Sequence, residues 1–153
     1  MKNTKIVDHL VSLAHLDIDA IHAYVQAIER VDVLSIKDQL SEFRADHQRH
    51  VNNISDCIRK LGGEPPEFAR DFKGFLIEGM TALRSVTGTE GALKAMKMNE
   101  QLTNKTYEKA LAWDLPHDVR QIVMQNRDDE SRHLAYITEA LEGRIWEEGD
   151  QVA

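Results

Sequence analysis

Cysteine is almost missing from this chain: Cys57 is the only one in 153 residues. An internal disulfide is therefore excluded, which fits a reducing compartment. Cys57 itself stands among apolar helical positions and reads as a small core residue. Proline and glycine are also scarce, at three and eight, so little interrupts long helices. No apolar run approaches the ~20 residues that span a bilayer, and the polar stretch from Met1 to Asp8 offers no secretory leader. Excess basic charge is lacking too. A formal net charge of −7 repels nucleic acid and anionic membranes, although it attracts metal cations. What is present, 42% hydrophobic and 29% charged residues, is a globular balance rather than a disordered one. The expectation is one cytoplasmic domain over residues 1–153, with neither nucleic acid nor membrane as partner.

Apolar spacing predicts five helical stretches, at about 6–31, 36–61, 67–86, 90–112 and 117–142. No strand pattern competes. The first stripe is Leu10, Leu13, Asp17, Ile21, Tyr24, Ile28. The second is Ile36, Leu40, Phe43, His47, His50, Ile54, Ile58. The fourth carries Leu93, Met96, Glu100, Thr103 and Tyr107, and the fifth Val119, Val123, Asn126, Glu130, His133 and Ile137. Ser35 with Asp38 resembles a weak capping box, and Thr89 is placed to cap the fourth helix. Gly62-Gly63-Glu64-Pro65-Pro66 is a stop signal, and Asp114-Leu115-Pro116 a turn. Short turns make each helix pair antiparallel. The fold class is all-α: a four-helix bundle of two hairpins, with an extra short helix in the long crossover.

The halves repeat. A shift of 83 positions carries Asp17 onto Glu100, Tyr24 onto Tyr107 and His50 onto His133 without a gap. Arg44-Ala45-Asp46-His47-Gln48-Arg49-His50 and Arg127-Asp128-Asp129-Glu130-Ser131-Arg132-His133 share Arg, Asp, Arg and His in place. Asp17, His47, His50, Glu100, Glu130 and His133 all lie on core-facing stripes. An unpaired buried charge costs several kcal/mol, so six of them at one level require neutralisation, and a polyvalent cation would supply it. Their distances from the connecting turns place both sets within about two helical turns of each other, and i,i+3 spacing puts each α-helical pair on one face.

A carboxylate on two helices and E-x-x-H on two others is the ferritin-like di-iron pattern. The chain resembles that superfamily over roughly residues 8–143. It is most similar to small bacterial ferritin-like proteins, through Leu16-Asp17-Ile18-Asp19-Ala20-Ile21, Asp46-His47-Gln48-Arg49-His50 and Leu61-Gly62-Gly63-Glu64-Pro65-Pro66. The resemblance implies metal ligands at Asp17, His50, Glu100, Glu130 and His133. His47 departs from it, standing where the family has a bridging glutamate, and either His47 or Asp46 is left as the second-helix ligand. The resemblance also implies that Asp46 and Asp129 accept hydrogen bonds from the opposite ligand histidines.

Other readings stand beside these. Glu100 and Glu130 could pair with Arg49 and Arg132 at a partly exposed surface. Tyr24 and Tyr107 are either core tyrosines needing a hydroxyl partner or groups serving the metal by redox or hydrogen bonding. Asp19 falls with His15, His22 and Gln26 on a face read as solvated. The implied cofactor is iron, as up to two ions, with zinc or manganese as alternatives. Three functions follow: an oxidoreductase or ferroxidase in iron or stress chemistry, a non-catalytic metal-binding protein, or a scaffold with a relic site. The scaffold would associate through Phe72, Phe75, Leu76 and Met80, and a homodimer is expected.

Overall fold

Four long helices carry the chain in a computed structural model that describes residues 3–67 and 88–147. They are α1 (Asn3–Arg30), α2 (Leu34–Lys60), α3 (Gly88–Ala110) and α4 (His117–Glu142), and a 3₁₀ turn follows at Ile145–Glu147. α1 packs antiparallel on α2 and α3 on α4, while α1 against α3 and α2 against α4 close the bundle. The predicted crossover helix, with Phe72, Phe75, Leu76 and Met80, lies outside the described residues. Among the described residues no helix is long and apolar enough to cross a membrane.

The apolar stripes meet as two large clusters, with Ile18, Ile21 and Val51 as a small third. One contains Tyr24, Ile36, Leu40, Phe43, Leu93 and Met96. The other contains Leu10, Leu13, Ile54, Cys57, Ile58 and Val123. Each fully buried Leu or Ile contributes about 1.5–3 kcal/mol. A polar layer lies between the clusters and forms the centre of the bundle.

The helix ends show where local rules hold. α2 ends in a Schellman turn: Gly62 takes φ +86°, its N–H donates to Arg59 O, and Gly63 N–H donates to Ile58 O. Gly63 also lets α1 approach, since a Cβ there would lie 2.5 Å from Val7 Cγ1. Arg120 reaches back from α4 to the carbonyls of Leu111 and Trp113 at 2.7 and 2.8 Å, satisfying the open end of α3.

Three expectations need correction. α2 starts behind Val33 with no side-chain cap, so Ser35 falls inside the first turn and Asp38 just beyond it, and they form no capping box. Thr89 also falls inside its helix. Its hydroxyl donates to Asp32 and accepts from Asp32 N–H, which ties α3 to the α1–α2 turn. The face of Asp19 and His15 is buried rather than solvated. Every residue from Leu13 to Ile21 is buried, so α1 is covered there on more than its bundle side, a tertiary fact that apolar periodicity does not carry.

Candidate metal centre

The polar layer is built by side chains from all four helices. α1 contributes Asp17, α2 contributes His47 and His50, α3 contributes Glu100, and α4 contributes Glu130 and His133. None is more than 1% exposed. Their ligand-type atoms form two quartets, each within 4.8 Å: Asp17, His47, His50 and Glu130, and His47, Glu100, Glu130 and His133. The structure thus brings all six predicted residues to one site, and the partly exposed pairing of Glu100 and Glu130 with arginines does not occur.

Asp17 Oδ1 lies 2.7 Å from His47 Nδ1 and 3.1 Å from His50 Nδ1. Glu130 Oε1 lies 3.3 and 3.2 Å from the same two nitrogens. Glu100 Oε1 lies 3.2 Å from His47 Nε2 and 3.4 Å from His133 Nδ1. His47, not Asp46, therefore faces the interior. Asp46 points the other way and accepts from His133 Nε2 at 2.8 Å and from Arg132 at 2.7 Å. Asp129 accepts from His50 Nε2 at 2.9 Å and from Arg49. An Nε2–H held outward in this way fixes the ring's orientation, so Nδ1 of each ring faces inward, where loss of its proton would present a lone pair to a metal.

The 83-residue repeat emerges as crossed bonds between the halves. Tyr24 donates to Glu100, while Tyr107 donates to Asp17 Oδ2 at 2.5 Å. His50 bonds Asp129 and His133 bonds Asp46, each aspartate lying in the half opposite its histidine. The symmetry is not complete. Under the same shift His47 corresponds to Glu130. In the same register Phe43 corresponds to Asn126 and Asn53 to Tyr136. Phe43 and Tyr136 meet edge-on at 5.5 Å, whereas Asn53 and Asn126 exchange two amide hydrogen bonds of 2.9 and 3.0 Å.

Four contributing residues went unnoticed in the pattern. Thr103 Oγ1 lies 3.0 Å from both Glu100 Oε2 and Glu130 Oε2. Asn104 bonds the backbone carbonyls of Glu100 and Glu130 at 2.7 and 2.9 Å, locking α3 to α4 at this level. Asn126, itself paired with Asn53, donates to Tyr107 Oη at 3.3 Å. Thr103 and Asn126 are polar residues on otherwise apolar stripes, which was the available signal.

Electrostatics follow from burial and proximity. Burial would raise the carboxyls of Asp17 and Glu100, but His50 and His47 outweigh it at Asp17, and His133 and His47 at Glu100, so both are lowered. Burial would lower His47 and His133. Glu130, Asp17 and Glu100 around His47, and Asp46, Glu100 and Glu130 around His133, instead raise each to about 10. Burial, then Glu100 for Tyr24 and Asp17 for Tyr107, pushes both phenols well up, so they remain neutral donors.

Two polar atoms in this layer have no hydrogen-bond partner despite full burial: Glu130 Oε1 and His133 Nδ1. Leaving such groups unsatisfied costs about 1–3 kcal/mol each. Both sit among inward-facing imidazole nitrogens and carboxylate oxygens, a donor set arranged for a transition metal. The residues fit a metal.

A family described as Domain of unknown function (DUF2383) matches residues 5–113, well over half of the chain. The chain belongs to this family. The match includes Asp17, His47, His50 and Glu100 and ends before α4. No curated protein gives a significant match.

Proposed function

We propose that this DUF2383-family chain holds iron, as two ions, in a carboxylate–histidine centre of ferritin-like type and serves in iron or oxidative-stress chemistry as a ferroxidase-like oxidoreductase. One observation carries the reading: Glu130 Oε1 and His133 Nδ1, fully buried and without a hydrogen bond, converge with four more ligand-type side chains in the middle of the bundle. Asp17, His50, Glu100, Glu130 and His133, with His47, would hold the metal. Bound iron would supply redox chemistry toward oxygen or peroxide.

The chain's own residues prepare that site. Asp46 and Asp129 orient His133 and His50. Tyr107 and Tyr24 hold one oxygen each of Asp17 and Glu100. Thr103 bridges the Oε2 atoms of Glu100 and Glu130. The apolar clusters above and below exclude water and strengthen every charge interaction between them.

A second reading, non-catalytic binding of zinc, manganese or iron, is favoured by His47 occupying the place of a bridging glutamate. Elemental analysis of protein purified without chelators, beside Glu130→Ala/His133→Ala, separates the readings. About two irons per chain, lost in the double variant, with oxygen-dependent oxidation of added ferrous iron, is the expected result. Tight zinc binding without iron oxidation above the blank gives the second reading. No uptake of either metal overturns both.

A further inference from the structure

His50 and His133 each commit one ring nitrogen outward, to Asp129 and Asp46. Each can therefore offer a metal one nitrogen only. His47 differs. Its Nδ1 faces Asp17 Oδ1 at 2.7 Å and Glu130 Oε1 at 3.3 Å, and its Nε2 faces Glu100 Oε1 at 3.2 Å. Of the three histidines of the centre it alone turns both nitrogens toward carboxylates of the centre, and with Glu130 it is common to both quartets.

A neutral imidazole has one acceptor nitrogen, so a ring can bind a metal ion at both nitrogens only as the singly negative imidazolate.

Resting on the di-metal reading above, we propose that His47 bridges two divalent cations as an imidazolate. Nδ1 would bind the ion shared with Asp17 and His50, and Nε2 the ion shared with Glu100 and His133, with Glu130 beside both. Metal–nitrogen bonds form at both ring positions, the N–H bonds there break, and the protons leave to solvent. No electron is transferred. The bridge takes the place that a glutamate fills in the related pattern and holds the ions farther apart, because the two lone pairs of an imidazolate diverge.

Zinc is the first probe. In the full chain labelled with ¹⁵N-histidine and loaded with zinc, we expect two zincs per chain and no hydrogen on either ring nitrogen of His47. A proton retained on either nitrogen, or one zinc per chain, overturns the bridge while leaving a metal-binding centre. Absence of uptake overturns the di-metal reading with it. Copper(II) gives a second readout through electron paramagnetic resonance. Two coppers should show an integrated signal well below two spins, rising toward two in His47→Gln. Two uncoupled coppers in the unaltered chain, or coupling unchanged in His47→Gln, would overturn the proposal. His47→Asn, which likewise cannot form an imidazolate, serves with the same expected rise if the glutamine variant does not fold.

Discussion

Nε2 of His50 on α2 lies 2.9 Å from Oδ2 of Asp129 on α4, and this bond points the other ring nitrogen into the centre of the bundle. Replacing Asp129 with alanine removes the acceptor while leaving every inward-facing group. Zinc affinity is expected to fall roughly 10–100-fold, the usual effect of losing such a support. Competition with a chromophoric chelator measures it, and circular dichroism checks the helices. Unchanged affinity would show that Asp129 does not orient His50 for metal.

The phenol of Tyr107 joins Asp17 to the amide of Asn126. Tyr107→Phe strips a buried carboxylate oxygen of its donor. The metal-free protein is expected to lose about 1–3 kcal/mol, read from urea unfolding. A loss below a few tenths would mean that Asp17 finds another donor.

Stability of the metal-free protein depends on pH with a definite sign. His47 and His133 are raised from 6.5 to about 10 in the folded state. Their contribution is full below 6.5 and is lost as pH rises through about 10. Asp17 and Glu100 are lowered, so theirs is present above the ordinary carboxylate range and lost as pH falls below it. The urea midpoint should therefore be higher near pH 6 than near pH 10. Zinc should reverse that trend, since its ligands must shed protons. A metal-free midpoint that rises toward pH 10 would contradict the assignment.

Gly63 permits the close approach of α1 to the end of α2. Gly63→Ala would drive Cβ against Val7, and overpacking of this kind costs about 1–3 kcal/mol. Thermal unfolding should register the loss. Zinc binding at the distant centre should keep its affinity, which separates this variant from those in the polar layer.

Saturating metal should raise the unfolding temperature by mass action, by about 2.7 kcal/mol at one hundred times the dissociation constant. Glu130→Ala/His133→Ala should abolish the rise. A rise that persists in the double variant would place the stabilising ion elsewhere.

The four helices and the gathering of six ionisable side chains were legible because both depend on spacing: the 3.6-residue period for the helices, and the 83-position repeat for Asp17 with Glu100 and His50 with His133. The direction of Asp46 was legible only through family resemblance, since i and i+1 positions on a helix face different ways but neither announces its partner. Thr103 and Asn126 were passed over as members of apolar stripes, although a polar residue three or four positions from a buried glutamate has a local reason to be there. The start of α2 at Leu34 was misread because Ser35 satisfies the capping pattern while the chain's path through Val33 decides where the helix begins. Burial of Asp19 depends on what packs against α1, which no local pattern records.

The exchange of Phe43 and Tyr136 for Asn126 and Asn53 makes the two ends of the centre chemically unlike. His133 lies against the Phe43 ring at 4.2 Å between centroids, so its ion would sit in apolar, weakly screening surroundings. The ion beside Asp17 would have the amide of Asn126 one hydroxyl away, through Tyr107. Two ions in this bundle would not be interchangeable. The more apolar seat would tolerate an imbalance of charge less, and the seat beside the amide would hold its ion at smaller cost. Filling would then proceed in a fixed order, one seat before the other, along a chain whose halves otherwise mirror each other.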